Sequence, residues 1–108
     1  MNEAFRNALG TADIEKTDKI TIVAPPIATD ASSVPVEIIS AVKGERLFLF
    51  VEKNLTPLVF SCNYHGSALP WFALNIKMKE SSMLHAVLWD GRQYIMSSVH
   101  VVVLAQAC

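Results

Sequence analysis

From residue 19 onward the chain is a succession of short apolar, β-branched segments. Each is closed by turn-forming residues at a spacing of about 10 to 14 positions. That rhythm limits the fold more than any other feature. Residues 19–23 (KITIV) alternate, and Pro25-Pro26 stops them. Residues 27–33 read as a loop. Residues 34–39 (VPVEII) form a second predicted strand, which Pro35 places at an edge or at a strand start. Lys43-Gly44-Glu45 is a turn. Residues 46–52 (RLFLFVE) are nearly all apolar, as in a central strand. After the connection KNLTP, residues 58–64 (LVFSCNY) make a fourth strand, and residues 65–70 a loop. Residues 71–78 alternate, with Phe72, Leu74, Ile76 and Met78 on one face and Ala73, Asn75 and Lys77 on the other. A turn at 79–82, a strand at 83–89, the hairpin signal Asp90-Gly91 and a long strand at 93–104 complete the series.

These elements predict an all-β fold, an immunoglobulin-like antiparallel β-sandwich of about seven strands. No helical period lies between strands, so the crossovers of a parallel sheet are missing. There is no Cys…Trp…Cys pattern to pin an antibody-type domain. Ahead of the strands, residues 2–10 (NEAFRNALG) predict a short helix. Asn2 caps it, Glu3 follows, Phe5 and Leu9 fall four apart, and Gly10 stops it. So short a helix must dock, on its own sheet or on a partner, or fray. The expected organisation is a helix and polar linker at 1–18, a sandwich at 19–104 and a tail at 105–108.

The 108 residues suit one domain, and an apolar fraction of 52% against 18% charged provides a core. A net charge of −1 recruits neither nucleic acid nor an anionic membrane surface. No apolar run approaches the roughly 20 residues of a spanning helix. Residues 1–9 carry charge and lack the apolar stretch of a leader. The expectation is a cytoplasmic protein, or a mature form whose leader has been replaced by a starting methionine.

Cys62 and Cys108 make neither a disulfide framework nor a zinc site. Cys108 stands after a strand and three small or polar residues, Ala105, Gln106 and Ala107. Chain ends order only when something ties them down. Three loose residues at about 3.3 Å each carry a sulfur roughly 10 Å from its anchor. Cys108 is therefore a tethered nucleophile or attachment point, an incidental residue on a frayed end, or one half of a clamping disulfide. An exposed, mobile thiol also predicts disulfide-linked homodimers in air. Cys62, mid-strand on the face of Leu58 and Phe60, is expected to be a small core thiol; the other reading is a redox partner of Cys108. His65, His85 and His100 have no ligand spacing and read as scattered surface or sheet residues. Trp71, Trp89 and the strand phenylalanines read as core, with Trp89 the aromatic placed for exposure near a hairpin tip. No catalytic residues, no metal site and no cofactor are expected, since no Ser-His-Asp set, paired carboxylates or metal cluster is visible in the sequence.

Four stretches, in order, resemble one known family. They are Lys19-Ile-Thr-Ile with Pro26-Ile-Ala-Thr-Asp and Val34-Pro-Val; Phe50-Val-Glu-Lys-Asn54 with Pro57; Ile76-Lys-Met-Lys with Ser81-Ser82; and Asp90-Gly-Arg-Gln-Tyr94 with the Val101-Val-Val103 strand. Together they resemble SoxY, the sulfur-carrier subunit of the bacterial thiosulfate-oxidising Sox system. On that resemblance Cys108 falls at the family's carrier cysteine and would hold thiosulfate-derived sulfur covalently. The protein would do no chemistry itself. It would work in the periplasm as a heterodimer with a SoxZ-type subunit, and Sox enzymes would act on the carried group. The chain departs from the family at Asn54-Leu-Thr-Pro57, which lacks a first proline. It also departs in the tail, where Ala105, Gln106 and Ala107 stand in place of glycines and nothing follows Cys108. The arm should be stiffer for it. A carboxylate on the cysteine itself should raise the thiol pKa and slow its attack. The alternative function is a sandwich interaction module whose degenerate tail carries nothing.

Overall fold

The computed structural model describes residues 2–11, 13–54, 56–63 and 71–104. Among these the chain forms one helix, α1 (Asn2–Leu9), and nine strands: β1 (Glu15–Lys16), β2 (Ile20–Val23), β3 (Ile27–Ala28), β4 (Val34–Ser40), β5 (Arg46–Val51), β6 (Leu58–Asn63), β7 (Trp71–Ile76), β8 (Ser82–Trp89) and β9 (Tyr94–Val103). Seven of them are the seven predicted strands. The two additions, β1 and β3, have two residues each, too short for a sequence period to mark.

The strands make a sandwich. One sheet runs β1-β9-β8-β5-β6, and the other runs β2-β4-β7. The long pairings are antiparallel, but β1 and β3 both lie parallel to β9. The chain runs beside the start of β9 at residues 15–16, crosses to the small sheet as β2, and returns beside the end of β9 at residues 27–28. The polar segment read as a linker is thus half an edge cover.

The large sheet is buried on both faces, and this explains the unbroken apolar run of β5. Leu47, Leu49 and Val51 face the small sheet and pack with Val34, Val36 and Ile38 of β4 and Leu84, Ala86 and Leu88 of β8. Phe48 and Phe50 point the other way and pack with Val87 beneath α1. Phe5 of α1 is buried there, its ring edge-on to Phe50 at 4.9 Å. The helix therefore docks on its own sheet. It ends where Gly10 adopts φ +79°, the left-handed conformation that closes helices, with the Gly10 amide bonded to Arg6 O at 2.9 Å. The Tyr94 hydroxyl donates to the Leu9 carbonyl at 3.4 Å.

Three local expectations change. β4 is the centre of its sheet rather than an edge, yet Pro35 costs no ladder bond toward β2. That strand pairs only with residues 37–40, so β4 has outrun it at Pro35. Trp71, not Trp89, is the exposed aromatic, at 68%. Trp89 is half-buried against Tyr94, ring centroids 4.7 Å apart. On β6 the register shifts between Leu49 and Phe50, so Phe50 pairs with Leu58 while Leu49 pairs with Phe60. The extra residue, Val59, breaks the alternation and sends Leu58 to the helix side and Phe60 to the inter-sheet core.

Removing the Phe5 ring leaves a void under α1. Phe5→Ala should cost about 3 kcal/mol in urea unfolding, and Phe5→Leu about 1 kcal/mol.

Candidate functional site

The site of interest is the end of the sandwich from which β9 leaves. β8 pairs with β9 only as far as Ser82 opposite Val101. Beyond that point three successive amides of β9 find other acceptors. The Val102 N–H donates to Pro26 O at 2.9 Å and the Leu104 N–H to Ala28 O at 3.1 Å. Between them the Val103 N–H donates to Ser81 Oγ at 2.8 Å, and that hydroxyl returns a bond to Val103 O at 3.4 Å. Ser81 so imitates one more residue of β8. The chain is fixed up to Leu104, and residues 105–108, including Cys108, lie outside the described residues.

The same end is tied together from every side. The Asn54 side chain donates to Lys77 O at 2.8 Å and accepts from the Lys79 N–H at 2.9 Å, bridging two loops as a backbone amide would. Ser82 Oγ accepts from the Lys53 N–H at 3.0 Å and donates to Met83 O at 2.9 Å. The Met78 N–H reaches Ala31 O at 2.9 Å. Asp30 closes its own turn, accepting from the Ser32 hydroxyl at 2.6 Å and the Ser32 amide at 3.0 Å. Those two bonds hold its carboxyl below the usual carboxylate range, the hydroxyl having the larger effect. Their support is present above the ordinary carboxylate pKa and fades as pH falls through the lowered one. All four sequence stretches quoted above contribute here, around the end of β9. Beside them opens a groove of about 530 Å3, with Ser32, Thr56, Lys77 and Lys79 along its walls.

The other sequence candidates fall elsewhere. Cys62 is a free, half-buried thiol on the edge strand β6, opposite Leu47, with Sγ 3.5 Å from Asn63 O. It is not a sealed core residue, because among the described residues no strand pairs with the far edge of β6. His65 lies outside the described residues, and His100 is exposed. His85 is buried, and the structure gives it partners that sequence spacing did not reveal. Nε2 is 3.2 Å from Glu52 Oε1, and Nδ1 is 2.7 Å from Ser98 Oγ. An ionised carboxylate only accepts, so Nε2–H donates to Glu52, and in the neutral ring Nδ1 accepts from Ser98. The order hydroxyl, imidazole, carboxylate is that of a catalytic triad. Here it lies on the helix-covered face, with the Phe5 ring 5.9 Å from the imidazole, and serves to satisfy three polar groups beneath α1. The residues come from the turn after β5 and from β8 and β9, so no local motif could have exposed the set. Among the described residues no three His, Cys, Asp or Glu side chains gather as they would around a metal ion.

Fold and site together define an immunoglobulin-like sandwich whose β9 and the residue after it, Leu104, are hydrogen-bonded into one end of the body. The chain matches the profile of the sulfur oxidation protein SoxY over residues 5–108 and belongs to the SoxY family. The sulfur carrier protein SoxY from Chlorobium limicola f thiosulfatophilum superposes with a TM-score of 0.85 at 25% identity, over 95% of this chain and 94% of that one. A superoxide reductase (neelaredoxin) from Ignicoccus hospitalis shares the fold, with a TM-score of 0.67 at 14% identity over 84% of this chain and 95% of that one. No curated protein sequence is significantly similar to the chain.

Ser81→Ala removes both bonds to Val103. It should cost about 1 to 2 kcal/mol. Amide exchange at Val103 and Leu104 should speed up while Leu49 and Leu84 stay protected.

Proposed function

We propose that this chain is a covalent sulfur carrier whose attachment point is Cys108. The Cys108 thiolate and thiosulfate lose two electrons to a partner oxidant and join through a new S–S bond, leaving a sulfonate at the far end of the cargo. Loading also proceeds from tetrathionate, where the thiolate attacks a sulfane sulfur and thiosulfate departs with the electron pair. Sox enzymes then hydrolyse and oxidise the carried group, while the carrier itself stays chemically passive. The single observation that supports this reading is the family match, which runs through Cys108 at the end of a strand fixed as far as Leu104. A carrier needs both features: a rigid body that partners recognise and a short lead that brings the sulfur to them.

In this proposal residues 1–18 are the docked helix and its connection, residues 19–104 the sandwich, and residues 105–108 the carrier tail. Ala105, Gln106 and Ala107 form the lead. The compartment is the periplasm. A SoxZ-type subunit completes a heterodimer, and reduced protein without it links through Cys108 into disulfide dimers in air. The outer face of the small sheet favours a partner. Ile39 and Trp71 are cross-strand neighbours, 40% and 68% exposed, Val23, Pro35 and Ala73 are exposed on the same face, and half-buried Glu37 is the sole charged residue of these three strands.

Intact mass after incubation with tetrathionate, or with thiosulfate and an oxidant, should show one adduct that dithiothreitol removes. Cys108→Ser should show none; an adduct persisting on that variant sinks the proposal. For the partner face, Trp71→Asp should weaken SoxZ-type binding at least about thirtyfold. The monomer's own unfolding should change little, because Trp71 is exposed.

A further inference from the structure

We infer that the outer face of the large sheet, beyond the edge of α1, carries a binding site for a soft monovalent metal ion, Cu(I), built from His85, His100, Met83 and Met96. The site is independent of the carrier reading, since neither cysteine takes part in it. Strand register brings the residues together. Met83 is paired with His100, His85 with Ser98, and Val87 with Met96. Side chains two apart on a strand share a face. His85 meets the Phe5 ring, and Val87 and Met96 pack under α1, so all of these residues stand on the helix side of the sheet. The helix covers the end with Val87 and Met96. At the other end Met83 is half-buried and His100 is exposed. Cα atoms of paired residues lie about 5 Å apart, and those of alternate residues about 7 Å. Met83, His85, Ser98 and His100 thus mark the corners of a rectangle, and an ion above its centre is about 4 Å sideways from each corner. Met96 is the diagonal neighbour of His85. The two share a cavity of about 380 Å3 whose walls also include Met83, Ser98 and Lys16.

The hydrogen bonds around His85 prepare one ring nitrogen as a ligand. Nε2–H donates to Glu52 Oε1 at 3.2 Å, which leaves a lone pair on Nδ1, on the side where Ser98 Oγ lies at 2.7 Å. A carboxylate behind an imidazole is the usual support of a metal-bound histidine; it fixes the tautomer and raises the basicity of the ligating nitrogen. The Ser98 hydroxyl is a rotor, and it gives up its bond to Nδ1 when an ion takes its place. The donor types choose the ion. Imidazole suits copper, and soft thioether sulfur favours Cu(I) over harder divalent ions. Charge works in the same direction. The Glu52 carboxylate behind His85 offsets one positive charge, whereas the Lys16 ammonium, exposed on β1 at the level of Met96, repels an ion in proportion to its charge. Zn(II) is therefore disfavoured twice, by its ligands and by its second charge. Methionine sulfur completes a set that His, Cys, Asp and Glu alone do not make among the described residues.

The test uses the full chain as Cys62→Ser/Cys108→Ser, because thiols themselves take up Cu(I). Its methionine methyl groups are labelled with 13C, and Cu(I) is added anaerobically as the acetonitrile complex. The Met83 and Met96 methyl signals should shift and saturate at one equivalent. Met78, buried in the inter-sheet core, is the internal control and should not move. At fixed acetonitrile concentration, affinity should fall at least about tenfold in Met83→Leu and in His100→Asn, and stay unchanged in His65→Asn. Urea unfolding of the copper-free variants separates a lost ligand from a lost fold; it should change little, since neither position is buried. Zn(II) should bind at least about a hundredfold more weakly than Cu(I). A Met83 methyl signal that stays in place at one equivalent of Cu(I) would overturn the site. So would equal affinity in folded Met83→Leu and His100→Asn, or Zn(II) binding as tight as that of Cu(I).

Discussion

Three consecutive backbone amides, at Val102, Val103 and Leu104, set the character of the molecule. Each points away from the residue before it, and each finds an acceptor although β8 has already ended. Two acceptors are carbonyls of the segment that returns as β3, and one is a serine hydroxyl. An edge left open here would fray, since unpaired amides at a strand end gain nothing from holding an extended shape. Closing it carries the paired backbone of the sandwich as far as Leu104.

The closure depends on the two-sided burial of the large sheet. β9 pairs with β3 while residues on both of its faces are packed. Ile95 and Val101 pack into the inter-sheet core, and Tyr94 and Met96 pack under the helix. The helix has its own reason to stay. Phe5 fills the space between Phe50 and His85, and the imidazole beside it is satisfied by Glu52 and Ser98. A polar trio in that position is tolerated because every member is paired; an apolar cover over an unpaired imidazole would carry a desolvation penalty.

The stitched end also explains residue choices that look arbitrary in a list of strands. Asn54, Ser81 and Ser82 are small polar residues in or beside turns, where composition suggests nothing beyond exposure to water. In the folded chain each replaces a missing backbone partner, and each does so across roughly twenty to thirty residues of sequence. Lys77, Met78 and Lys79 carry the exposed, buried, exposed alternation past the end of β7, and the Asn54 side chain holds their backbone at both ends.

What the sequence determined alone was whatever depends on neighbours along the chain. Apolar and β-branched segments closed by turn residues located seven strands, and the Phe5–Leu9 spacing ahead of Gly10 marked the helix. The order of four short stretches pointed to the SoxY family, and the match over residues 5–108 bears that out. What only the tertiary structure decided were matters of register and proximity. It shifted β6 by one residue at Val59, turned Trp71 outward, left Cys62 half-buried on the edge strand of the described sheet and brought Glu52, His85 and Ser98 together from one turn and two strands. These are long-range outcomes. A bulge depends on how two strands meet, and exposure depends on which strand has no neighbour. Neither is written in the spacing of residues along one strand.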